Sequence, residues 1–174
     1  PAVGASFAAA GAGPGGGGGG AVALVEAAMR AHLAARRPHE AVSALDALGD
    51  APALSRSGYE AAMAACAAVA RTGGVPAAEL HDRVARLVGG MSARGVAPSA
   101  PFYEAYAAVA AATGHIDEAA GVPGEAARCG VRPTAAMYLP ALEAQAGSAA
   151  AERTLAAMAD AGVGITPRAV AALL

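Results

Sequence analysis

The stretches Arg94-Gly95-Val96-Ala97-Pro98 and Cys129-Gly130-Val131-Arg132-Pro133 share one Gly-Val-x-Pro pattern, and that pattern decides the fold. Gly95 to Gly130, Pro98 to Pro133 and Tyr103 to Tyr138 are all separations of 35 residues. A third copy is read at Gly164-Ile165-Thr166-Pro167, with Gly130 to Gly164 and Pro133 to Pro167 both 34. The chain holds only 4 Tyr, so a Gly, a Pro and an aromatic recurring together are not a by-product of composition. A fixed period of this length marks stacked copies of one supersecondary unit.

Between these marks the apolar residues recur at helical spacing. Val22, Val25, Met29 and Leu33 form a narrow stripe that ends at Arg36-Arg37-Pro38, and Val42, Leu45 and Leu48 follow before Gly49. Tyr59, Met63, Cys66 and Ala70 line the next helix, which Ser57 is placed to cap, and Thr72-Gly73-Gly74 makes its turn. Leu80, Val84, Leu87, Val88 and Met91 form the strongest stripe. Tyr59 to Tyr103 is 44, an insertion of 9 against the period, assigned to Thr72–Val75 and a longer second helix.

Ser99 is positioned to cap the helix of Phe102, Tyr103, Tyr106 and Val109, and Ile116 to Arg128 supplies its partner. Gly121, Pro123 and Gly124 inside that partner predict a kinked, shortened or partly unwound helix, because proline removes a hydrogen bond and crowds the preceding turn. Pro140 predicts a late start for the helix of Met137, Tyr138 and Leu142. The boundaries are an Ala/Gly-rich flexible linker over 1–20, a degenerate hairpin over 21–54 and repeats over 55–99, 100–134 and 135–168. Residues 169–174 begin a further helix. The start at Pro1 and the end within a helix are those expected of a piece of a longer polypeptide.

Composition narrows the function. Charged residues are 15% and aromatics 3%, and roughly a third of the chain is Ala, so each helix has a thin apolar stripe and stability must come from close stacking. All 12 basic residues are Arg, as in a GC-rich genome, and the formal charge is -2. A nucleic-acid footprint would therefore rest on local Arg placement, with Arg71, Arg94, Arg128 and Arg132 as candidates. Cys66 and Cys129 stand far apart with no CxxC or Cys/His cluster, so neither zinc nor a disulfide is indicated, and no apolar run reaches membrane-spanning length. His32, His39, His81 and His115 show no ligand spacing, and Asp117-Glu118 suit a helix N-terminus. The glycine run ending at Gly20 lacks the Lys-Ser/Thr of a phosphate loop. No catalytic signature, metal site or cofactor is read.

An aromatic early in the first helix, Gly between helices, Ala early in the second and a terminal Gly-Val-x-Pro resemble the pentatricopeptide repeat. Tyr103, Gly114, Ala119, Gly130, Val131 and Pro133 carry the match, which covers Ser55 to Arg168 well and Ala21 to Asp50 weakly. The tetratricopeptide repeat has a period of 34 and a Trp mark absent here. The resemblance implies an all-α solenoid, a right-handed superhelix of about four antiparallel hairpins, binding single-stranded RNA in a mitochondrion or chloroplast. It implies base-reading pairs at Glu60 with Ser99, Glu104 with Thr134 and Leu139 with Arg168, flanked by Ser57, Pro101 and Ala136, with Arg132 nearby for the backbone. The alternative is a helical-repeat scaffold that binds protein partners in an organellar ribosome or another large assembly.

Overall fold

The computed structural model describes residues 19–49 and 53–172, and among these every regular element is a helix. In chain order they are α1 (Gly19–Ala34), α2 (Pro38–Asp46), α3 (Arg56–Thr72), α4 (Ala77–Ala93), α5 (Ala100–Ala112), α6 (Ile116–Arg128), α7 (Ala135–Ala144), α8 (Ala149–Asp160) and α9 (Pro167–Ala171). The expected linker lies outside the described residues up to position 18, and Gly19 and Gly20 already belong to α1.

The helices pair in order and pile up. The first helices α1, α3, α5, α7 and α9 form a row in which each packs on the next, while α2, α4, α6 and α8 lie behind as their partners. Contacts run between neighbouring units, the one-dimensional arrangement of a solenoid. One core runs through the first three units, from Met29 and Leu45 through Met63, Leu87, Met91 and Phe102, and reaches the fourth at Met137. A second, around Leu142, Met158 and Ala169, holds the last. Tyr59, Tyr103 and Tyr138 are all buried, so the recurring aromatic is a packing residue. Alanine faces such as Ala110, Ala119 and Ala141 let the thin helices approach closely.

The Gly-Val mark has a backbone cause. Gly95 and Gly130 adopt φ of +63 and +75, the left-handed conformation that ends a helix. The following Val96 and Val131 amides donate to the carbonyls of Met91 and Ala126 at 3.1 and 2.9 Å. In the last unit Gly162 takes this place, at φ +67, and Val163 donates to Met158 at 3.1 Å. Gly164 has no such conformation, so the copy expected at Gly164-Ile165-Thr166-Pro167 is displaced by two residues.

Other expectations are corrected by packing. Helix α6 runs unbroken past Pro123, whose ring is buried beside Val122 and Ala126, and the apolar contact holds the helix together. Helix α7 starts at Ala135 rather than late, with Pro140 in its interior. The carbonyl deprived of a partner there belongs to Ala136, an exposed residue where water can take the missing place. The insertion is shared: α3 is four residues longer than α5, α4 four longer than α6, and the turn between them one longer. Ser55, not Ser57, caps α3, accepting from the Gly58 amide at 3.1 Å.

Candidate nucleic-acid interface

The row of first helices leaves an open face. Ala108 and Ala111 of α5, Leu139, Pro140 and Glu143 of α7, Arg71 of α3 and Arg168 of α9 line a groove of about 650 Å³ on it. On each helix the register residue lies on the stripe that lines this groove. Glu60 is three turns from Arg71 on α3, Glu104 one turn from Ala108 on α5, and Leu139 lines the groove itself.

The N-cap residues of α3, α5, α7 and α9 are Ser55, Ser99, Thr134 and Thr166, all hydroxyl side chains. Each N-cap sits beside the preceding first helix, where a glutamate meets three of the four. The Ser99 hydroxyl donates to Glu60 Oε1 at 2.6 Å, and that of Thr134 to Glu104 Oε1 at 2.7 Å. Consequently neither hydroxyl caps its own helix, contrary to the expectation for Ser99. A carboxylate at the amide end of the next helix is favoured electrostatically and ties two units together.

The first register is built differently and was missed in the sequence. Glu26 is buried, and its two oxygens accept from the Ser55 amide at 2.6 Å and the Ser55 hydroxyl at 2.8 Å. The signal was present as Val25-Glu26, one repeat before Tyr59-Glu60, with Val in place of the aromatic. In the last register Leu139 offers no acceptor, so Thr166 turns to the Ala169 amide at 3.2 Å. The N-cap of α9 is thus Thr166, whereas the residue expected opposite Leu139 is Arg168. Arg168 lies two residues on and donates to Glu143 at 2.5 Å. Arg132 is exposed and lines a different depression of about 490 Å³ together with Thr134, Val131, Pro133 and Gly162. Ser57, Pro101 and Ala136, expected to flank a ligand, are exposed.

Behind this face, polar groups brace the second helices. Arg83 on α4 is buried and reaches Asp46 on α2 through Nε at 3.1 Å and Nη2 at 2.9 Å, with Glu79 at 3.3 Å. Burial works against its charge, yet the bonds and proximity of Asp46 hold its pKa above the ordinary value. His81 on α4 stacks on His115, at the start of α6, with ring centroids 3.9 Å apart. That pair was invisible in sequence because the two residues lie on different units. Tyr106 donates to Glu118 in the first turn of α6. Among the described residues no three His, Cys, Asp or Glu side chains gather as metal ligands do, and no helix is long and apolar enough to cross a membrane.

Comparison with solved structures places this arrangement. The PPR domain of Arabidopsis thaliana protein-only RNase P 1 (PRORP1), crystallised in complex with tRNA, superposes with a TM-score of 0.72 over 88% of this chain and 78% of that one, at 20% identity. This fold is a pentatricopeptide-type helical repeat. Nuclear proteinaceous RNase P 2 (PRORP2) from A. thaliana matches with a TM-score of 0.73 and 22% identity over 87% of this chain. The match spans about a third of that protein, 33% of it. No family model matches the sequence, and no curated protein does.

Proposed function

We propose that this chain is an RNA-binding module of the pentatricopeptide type, acting in organellar RNA metabolism as a binder rather than a catalyst. The open face of first helices clasps single-stranded or structured RNA. The observation that carries this reading is the open row of first helices, where Arg71 and Arg168 border one groove and the polar pairs Glu60–Ser99 and Glu104–Thr134 recur at one register of the same helices. Spaced polar groups on one long face suit bases that are splayed from a strand and read along their edges. The likeness to a domain that binds tRNA supports the same class of partner.

Electrostatics set the expected strength. With a formal charge of -2 the chain has no basic excess, so few phosphates are neutralised and affinity should be modest and weakly salt-dependent. Fluorescence anisotropy on labelled single-stranded RNA, at two salt concentrations, tests the reading. Saturable binding weakened by Arg71→Ala is expected, and no binding of any RNA up to high micromolar protein would overturn it. The acidic registers favour a second reading, a scaffold for protein partners in a large assembly. Co-purification of a defined complex that survives nuclease would mark that role.

A further inference from the structure

We propose that Cys129 is a redox-modified thiol, oxidised by hydrogen peroxide to a sulfenic acid whose oxygen accepts a hydrogen bond from the buried Tyr103 hydroxyl. The inference is independent of the RNA reading and follows from one register compared across three units. Arg94, Cys129 and Ala161 are the C-caps of α4, α6 and α8, and each precedes a left-handed glycine. In the second unit the Tyr59 hydroxyl is hydrogen-bonded to Arg94. In the fourth, Tyr138 donates to the Ala157 carbonyl at 3.5 Å. In the third, the Tyr103 hydroxyl has the Cys129 thiol beside it yet completes no hydrogen bond, although the residue is fully buried. Glu125 and Arg128 also lie near Tyr103, but neither bonds with its hydroxyl.

A buried donor without an acceptor is costly, and a thiol sulfur is a weak acceptor. An oxygen added to that sulfur is a better one. The fold therefore holds a donor ready for the oxidised form and leaves it unsatisfied in the reduced form. Oxidation adds a hydrogen bond between α5 and the end of α6, inside the third unit.

Cys129 is half-buried, within reach of a molecule as small as hydrogen peroxide, whereas Cys66 is fully buried. The thiolate sulfur attacks one peroxide oxygen, so that an S–O bond forms as the O–O bond breaks. Sulfur gives up two electrons, and the departing hydroxide leaves as water with the proton the thiol has lost. Condensation with a small thiol then releases water and forms a mixed disulfide, from which a second thiol restores the cysteine.

Brief treatment of the intact chain with hydrogen peroxide, removal of the excess and trapping with dimedone after increasing delays test the proposal. Peptide mass spectrometry reads Cys129 and Cys66 separately, and an adduct is expected on Cys129 alone. Tyr103→Phe deletes only the unsatisfied hydroxyl, and circular dichroism checks that the variant folds. Its Cys129 sulfenic acid should disappear about fivefold faster than that of the wild type, the worth of one hydrogen bond. The urea-unfolded wild-type chain, in which no tyrosine is held at the sulfur, is the second reference and should also lose the adduct faster. A folded wild-type lifetime equal to that of either reference overturns the assignment. So does labelling of Cys66 in step with Cys129, or no labelling of Cys129 at all. No RNA is present, so the RNA reading stands or falls separately.

Discussion

Replacing Asp46 by alanine should destabilise the protein out of proportion to the exposure of the residue removed. Its carboxylate is 48% exposed, but the Arg83 side chain it holds is only 9% exposed. Without Asp46, Nε of Arg83 loses its acceptor and Nη2 keeps only Glu79 at 3.3 Å, while Nη1 is already unpartnered. Stranding a fully buried partner costs about 3–5 kcal/mol. The exposed position of Asp46 and the remaining Glu79 reduce this to about 2 kcal/mol, roughly a thirtyfold change in the folded fraction. Removing both charges with Asp46→Ala and Arg83→Met should restore most of the loss, to within about 0.5 kcal/mol, because an apolar side chain has no desolvation cost. Urea unfolding followed by circular dichroism measures the difference. Hydrogen exchange locates it, with the amides of α1 and α2 expected to lose protection first, since units of a solenoid unfold semi-independently. The reasoning is refuted if Asp46→Ala unfolds at the wild-type midpoint, or if the double variant is less stable than Asp46→Ala alone.

Four further outcomes follow from the same structure. Gly121→Ala and Gly124→Ala should each raise stability by about 0.8–1 kcal/mol in urea unfolding, since both lie in helix α6 with open space around an added Cβ. Gly130→Ala should lower it by about 1–2 kcal/mol, because φ at Gly130 is +75. Burial pushes the Tyr103 and Tyr106 hydroxyls well above 10.0, and their neighbours Cys129 and Glu118 push the same way. A raised folded value means that this stability is complete below pH 10 and is lost as pH climbs above it, so the melting temperature should fall in that range and Tyr106→Phe should flatten the fall. Burial also drives the Cys66 thiol up to about 12, so a disulfide reagent at pH 8 should label Cys66 only on unfolding, at the rate of global opening.

Much of the fold could be read directly from the chain. The tyrosine marks work in sequence because each unit buries the same aromatic against the same neighbour. Gly-Val is legible because a left-handed residue and the amide after it are needed to finish a helix, and both requirements are local. The third copy was misplaced for the same reason: Gly162-Val163 and Gly164-Ile165 look alike as text, and only the backbone conformation separates them. Register errors of two residues then carried Arg168 into a place held by Thr166. Pro123 and Pro140 misled in the opposite direction, since a local penalty of a few kcal/mol was offset by surroundings that no local rule can see, burial at Pro123 and an exposed Ala136 carbonyl at Pro140.

By itself, then, the sequence determined that this protein is a stack of helical hairpins with a period of 35 and set the aromatic and the glycine that shape each unit. These features depend on periodicity and on single-residue conformational limits, which a chain carries with it. Only the tertiary structure decided that Glu60 meets Ser99, that Glu104 meets Thr134, that Glu26 is closed off by Ser55, and that Arg83 holds Asp46 across two units. A hydrogen bond between residues 29 or more positions apart depends on how far one hairpin slides over the next. The summed packing of many small alanine faces sets that distance, and no single residue encodes it.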